Sequence, residues 1–81
     1  MIYPVQIRAA RGLLGMKQVD LARTASVGLM TLKRMEAAGT RIRGSAQTLT
    51  RIQRALESAG IIFIDQDDRG GPGVRLRKNL P

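Results

Sequence analysis

The side chains that enzymes most often use as nucleophile, general base or metal ligand are scarce in this sequence. Its 81 residues include no cysteine and no histidine, which removes thiolate and imidazole chemistry and the usual zinc ligands. Carboxylates cluster at Asp65, Asp67 and Asp68, a group that could hold a divalent cation. The neighbours of these carboxylates are glycine and arginine, which is typical of a solvated turn. The sequence also lacks the glycine-rich phosphate-binding loop that precedes a helix in nucleotide-binding proteins. We therefore expect no enzymatic activity, no bound metal and no cofactor.

Positive charge is the strongest chemical feature of the chain. Fourteen Lys and Arg residues against six acidic ones give a net charge of +8 and a pI of about 11.6. Residues 1–60 hold ten of the basic and three of the acidic side chains. The segment 33–54 contains one acid and six basic residues, Lys33, Arg34, Arg41, Arg43, Arg51 and Arg54. An excess of this size indicates a polyanionic partner, such as nucleic acid or an acidic membrane surface.

The composition narrows the choice of partner. Tyr3 and Phe63 are the two aromatic residues, too few to form the stacking platform that single-stranded nucleic acid requires or to anchor a helix in a membrane surface. No apolar run approaches the ~18 residues that span a bilayer, and the N-terminus does not resemble a secretion signal. We therefore expect double-stranded DNA as the partner, no membrane, and a cytoplasmic, nucleoid-associated location.

The spacing of apolar residues predicts four helices, which cover residues 4–14, 17–24, 29–38 and 46–59. Pro4 suits the first turn of a helix, and Ser45 is a good N-cap for the fourth. In the second helix the side chains expected to face inward are Val19, Leu21, Ala22 and Ala25. In the third helix, Leu32 and Met35 are expected inward, with Lys33 and Arg34 on the opposite, outward face.

The periodicity changes after Gly60. An apolar run at 61–64 and an alternating segment at 74–77, separated by a turn-rich stretch, predict a β-hairpin. The first strand is apolar on both faces, and the helices can cover one of them. A second copy of the chain is the simplest cover for the other. We therefore expect a homodimer whose interface includes Ile61, Ile62, Phe63 and Ile64.

Two short helices joined by a tight turn, the second with a basic outer face, are the plan of a helix-turn-helix. The pattern Gln-x-x-Leu-Ala begins at Gln18, Val-x-x-x-Thr-Leu begins at Val27, and Glu36 follows. With these motifs, residues 6–59 resemble the DNA-binding domain of the Cro and lambda-repressor-like family, also called the xenobiotic-response-element (XRE) family. The resemblance implies a mainly α, lambda-repressor-like helix-turn-helix domain of four helices over residues 1–60. Residues 61–81 would then be a C-terminal β-hairpin extension within the same compact unit, serving dimerisation.

The resemblance also implies roles for individual residues. The third helix would face the major groove, with base contacts from Leu29, Met30, Lys33 and Arg34. Phosphate contacts would come from Lys17, Gln18, Thr31, Arg41 and Arg43. Arg11 and Glu36 match positions that form a structural ion pair between the first and third helices.

The sequence departs from the family pattern around the turn. Lys17 stands where the second helix usually begins with Ser or Thr, and Ser26 replaces a glycine whose positive φ costs another residue about 1 kcal/mol. Gly28 replaces the Ser or Thr cap of the third helix, unless Ser26 is the cap and the helix begins two residues earlier. Leu29 and Met30 are apolar, so they either read thymine methyl groups, are partly buried, or contact another protein.

We expect a sequence-specific transcriptional regulator, either a repressor or an autoregulator. As a homodimer it would bind a palindromic operator whose half-sites lie about one helical turn apart. The alternative is a protein-interaction module on a helix-turn-helix frame, an antitoxin or antiactivator that binds a partner protein.

Overall fold

The local sequence explains some of the helix ends. The computed structural model describes residues 2–39 and 44–79, with helices α1 (Pro4–Leu14), α2 (Gln18–Ala25), α3 (Leu29–Glu36) and α4 (Ala46–Ser58). Pro4 occupies the first position of α1, and Gly15 ends it in the left-handed conformation with φ of 64°. At the start of α4, Ser45 Oγ accepts the N–H of Thr48 at 3.1 Å. Together with a C-terminal hairpin, these helices confirm the predicted fold class.

The turn between α2 and α3 settles which residues cap the two helices. Ser26 has φ of 58°, and in the described ranges it is the one non-glycine residue with a positive φ. It ends α2, while Gly28 precedes α3 in an extended conformation. The option that Ser26 caps the third helix is therefore wrong. Lys17 is the N-cap of α2 rather than its first residue, so α2 lies one position later than predicted.

The core lies between the four helices and the inner face of the hairpin. Its buried apolar members are Ile2, Ile7, Ala10, Leu21, Ala22, Ala25, Leu32, Met35, Leu49, Ile52, Leu56 and Ile61. The prediction that Val19 faces inward is wrong, since 49% of its surface is exposed. Val19 precedes Leu21 by two positions, which places it off the buried stripe of a helix with 3.6 residues per turn.

None of the described helices is both long and apolar enough to cross a membrane.

The hairpin pairs β1 (Ile61–Ile64) with β2 (Gly73–Leu76) in antiparallel orientation. The register places Ile62 opposite Arg75, and Phe63 opposite Val74. Since directly paired residues share a face, Phe63 and Val74 lie on the inner face and pack against the core. The outer face carries Ile62, Ile64 and Arg75, all exposed.

The expected dimer interface therefore needs correction. Ile61 is 3% exposed and belongs to the core of its own chain, so it is not available to a second copy. Phe63 is half-buried against the same core. A run of four apolar residues does not reveal which of them the helices cover, whereas the strand register does. Of the four predicted interface residues, Ile62 and Ile64 face outward.

A buried glutamine attaches the hairpin to α1. Gln6 is 3% exposed, and its Nε2 donates to the carbonyl oxygens of Ile64 at 3.2 Å and Gly73 at 2.9 Å. Its Oε1 accepts the N–H of Tyr3 at 2.8 Å, so both ends of the amide are satisfied. Because an unpaired buried amide is costly, these bonds fix the position of the hairpin on the helices. The described part of residues 61–81 thus packs with the helical part as one unit.

Candidate nucleic-acid interface

One side of α3 is in the core and the other is exposed. Leu32 and Met35 are 0% and 2% exposed, and they hold the helix against the rest of the domain. Met30, 60% exposed, lies on the outer side with Lys33 and Arg34, which are also exposed. The spacing i, i+3, i+4 places these three side chains on a single strip, which we call the α3 strip. The orientation predicted for the third helix is confirmed for Leu32, Met35, Lys33 and Arg34.

The positive charge of the α3 strip is not neutralised within the described chain. Among residues 2–39 and 44–79, the ion pairs join Arg11 to Glu36 and Arg23 to Asp20. Lys33 and Arg34 take part in neither. Their charged groups are therefore accessible to an anionic partner.

Leu29 lies at the border of the α3 strip. It is half-buried and packs against the core, while Thr31 two residues later is exposed. The core thus covers part of the Leu29 side chain that was expected to contact bases. Its contact with a base stays a prediction for the exposed remainder, as does the contact of Thr31 with phosphate.

The predicted ion pair between Arg11 and Glu36 is confirmed. Arg11 donates from Nη2 to Glu36 Oε1 at 2.6 Å and from Nε to Oε2 at 2.8 Å, a bidentate geometry. These hydrogen bonds, and to a smaller extent the carboxylate charge, raise the pKa of Arg11 against an opposing effect of burial. Arg11 Nη1 also donates to the carbonyl of Met16 at 3.1 Å. The pair therefore ties α1 both to α3 and to the connection before α2.

Gln18 reaches the same carboxylate from α2. Its Nε2 lies 3.2 Å from Glu36 Oε1 and donates to it. A primary amide nitrogen carries two N–H groups, so the second one remains for an external acceptor. Lys17, the exposed N-cap of α2, is the adjacent residue. The two residues predicted to bind phosphate thus lie together at the start of α2, and their contact with DNA stays a prediction.

A contact that the sequence did not suggest supports the turn. Arg51 Nη1 on α4 donates to the carbonyl oxygen of Ser26 at 3.4 Å. The two residues are 25 positions apart, so no local spacing links them. The bond joins α4 to the turn before α3.

The connection from α3 to α4 ends at a position that requires glycine. Gly44 has φ of 97°, and a Cβ atom there would lie 3.1 Å from Sδ of the buried Met35. Both the backbone conformation and the close approach exclude larger residues without rearrangement. Arg41 and Arg43, the predicted phosphate contacts in this connection, lie outside the described residues.

Comparison of the chain with models of known protein families gives no match, and a search of curated proteins gives none either.

Proposed function

We propose that this protein binds double-stranded DNA in a sequence-specific manner, with α3 in the major groove, and regulates transcription as a repressor or autoregulator. The observation that carries the proposal is the α3 strip: two cations that form no ion pair with any described residue, and an exposed methionine, on a helix whose opposite side is in the core. The major groove is about 12 Å wide and admits one α-helix. α3 has eight residues and follows the tight turn that contains Ser26.

Sequence choice would come from the α3 strip. The guanidinium of Arg34 matches O6 and N7 of guanine, a pairing that contributes about 1–3 kcal/mol of discrimination. Lys33 presents a second donor beside it. Met30 offers an apolar contact to the methyl group of thymine. These three side chains would read base edges, and exposed Leu29 atoms would extend the apolar contact.

Affinity would come mainly from contacts to the phosphates. Lys17 and the second N–H of Gln18 supply donors at the start of α2, and Thr31 supplies a hydroxyl on α3. By the family resemblance, Arg41 and Arg43 add cations beyond the end of α3. Phosphate contacts set the orientation of the protein on the duplex, so that the α3 strip enters the groove in one register.

A second candidate function is binding of a partner protein, as in an antitoxin or antiactivator. Met30 favours it, because this large apolar side chain is 60% exposed at the N-terminal end of the α3 strip. The two candidates are separated by whether substitutions in the α3 strip abolish binding to DNA or binding to a partner protein.

Selection of binding sites from random duplex DNA, followed by mobility shifts, tests the proposal. We expect Arg34→Ala to weaken binding to the selected duplex by about ten- to a hundredfold, which corresponds to the loss of one bidentate base contact. Met30→Ala is expected to relax the preference at a thymine position. Arg69→Ala is the matched control, since it removes the same charge from an exposed turn remote from α3 in the sequence.

Selection that enriches no duplex at low ionic strength would contradict the proposal. Unchanged binding by both Arg34→Ala and Met30→Ala, together with loss of a protein partner, would favour the interaction module instead.

A further inference from the structure

The outer face of the hairpin leaves apolar side chains in solvent. Ile62 and Ile64 are 37% and 41% exposed, and Arg75 lies beside Ile62 on the same face. Ile62 and Arg75 also line a surface depression with Lys78 and with Leu76, which the register places on the inner face. No helix of the described chain covers this face, because α1 and α4 pack on the opposite side of the sheet.

Opposite charges lie at the two ends of this apolar face. The turn end of the hairpin carries Asp65, Asp67 and Asp68 against one cation, Arg69. The open end carries the exposed cations Arg77 and Lys78, while Arg75 lies on the face itself, opposite Ile62. None of these seven side chains belongs to an ion pair with a described residue.

The length of the hairpin keeps these charges apart within one chain. Asp65 follows Ile64 directly, and the N–H of Arg77 bonds to the carbonyl of Gly60, before the first residue of β1. At about 3.3 Å per residue, the two ends of the hairpin are therefore roughly 16 Å apart. An ion pair needs about 4 Å between nitrogen and oxygen. The carboxylates at the turn end and the cations Arg77 and Lys78 at the open end can therefore pair with each other only between two molecules.

We propose that the outer face of the hairpin binds the same face of a second copy of this chain, with the two hairpins running in opposite directions. A two-fold axis perpendicular to the strands places the turn end of each hairpin against the open end of the other. Ile62 and Ile64 of both copies then pack at the centre, and Asp65 and Asp68 of each meet Arg77 and Lys78 of the other. Hairpins running in the same direction would set carboxylates against carboxylates, which charge repulsion disfavours.

The size of the face sets the strength of this dimer. Each four-residue strand is about 13 Å long, so the face is well below the ~800 Å² per partner of a standard stable interface. We therefore expect a weak dimer that high salt dissociates, because charge pairs at a small, solvent-accessible rim are screened. Gln6 holds the hairpin on α1, so the face is preformed and the orientation of the two α3 helices follows from it.

Sedimentation equilibrium of the full chain without DNA tests this dimer. The variant Asp65→Lys/Asp68→Lys makes both ends basic, and Arg77→Glu/Lys78→Glu makes both ends acidic. We expect each variant alone to raise the dissociation constant by about tenfold or more, since like charges then meet at both ends. An equimolar mixture of the two variants restores all opposite-charge contacts, so it is expected to associate as the unmodified chain does.

Arg69→Glu is the control for net charge. It changes the charge by as much as Lys78→Glu does, but it makes the turn end more acidic, so association is not weakened. A chain that remains monomeric at every concentration in low salt would overturn the proposal. So would variants that associate as well as the unmodified chain, or a mixture that does not recover. Thermal unfolding of each variant, all changed at exposed positions, shows that the fold is retained. Because no DNA is present, failure here leaves the DNA proposal standing.

Discussion

Gln18 and Glu36 are joined by a hydrogen bond of 3.2 Å between the first residue of α2 and the last residue of α3. Arg11 from α1 donates two further bonds to the same carboxylate, which is 2% exposed. One buried carboxylate therefore connects three helices. The helix that carries the α3 strip and a residue proposed to bind phosphate are therefore positioned by the same carboxylate.

Removing Arg11 is expected to destabilise the fold strongly. Arg11→Met leaves the buried Glu36 carboxylate without its cation, which costs about 3 kcal/mol of unfolding free energy. Urea denaturation of the variant and the unmodified chain measures this loss of unfolding free energy. Arg23→Met is the matched control, since it breaks an exposed pair with Asp20 and should cost less than about 0.5 kcal/mol. Equal effects of the two substitutions would show that Glu36 does not depend on its partner.

Stability and DNA binding are expected to vary little between about pH 6 and 8, because the chain has no histidine. The pKa of Arg11 is raised above an already high ordinary value. A raised pKa contributes stability that is present at lower pH and lost only as pH rises through the shifted value, far above this window. Thermal unfolding and mobility shifts between pH 6 and 8 check this expectation. A steep change in the thermal midpoint or in DNA affinity would reveal another titrating group.

Two substitutions at left-handed positions should change stability in opposite directions. Ser26→Gly relieves a positive φ of 58° and is expected to stabilise the fold by up to about 1 kcal/mol, partly offset by the greater freedom of glycine in the unfolded chain. Gly15→Ala imposes the same strain at φ of 64°, where no atom lies within 4 Å of the added Cβ, and is expected to destabilise by about 1 kcal/mol. Thermal midpoints of the two variants test this. Shifts of the same sign would mean that backbone strain does not govern either position.

Local features of the sequence predicted most of the helical part. Pro4, Gly15 and Ser45 act on their immediate neighbours, so their capping roles were visible without a structure. Both ends of α1 match the prediction, and the other helix ends differ from it by at most two residues. The inward orientation of Leu32 and Met35 followed from periodicity alone. Val19 was misplaced because an apolar side chain near a buried stripe need not belong to it.

Contacts between distant segments were beyond the reach of these patterns. The bonds from Gln6 to the hairpin and from Arg51 to Ser26 join residues far apart in the chain, and no spacing rule connects them. For Gln6, the position three residues after Tyr3 at the start of a helix gave a partial signal, since glutamine there often bonds back to the N-cap N–H. Ile61 was wrongly assigned to the dimer interface because its burial depends on how the two strands pair, and the sequence alone does not show that pairing.

The salt dependence of binding to a selected duplex tests the central claim most directly. If each of two copies neutralises three or four phosphates, log affinity falls against log salt with a slope of roughly −5 to −7, and the selected duplex is preferred over a scrambled one. Arg34→Ala would abolish much of that preference. A slope near −1 would contradict the proposed phosphate contacts, and equal affinity for both duplexes at low ionic strength would contradict the placement of α3 in the major groove.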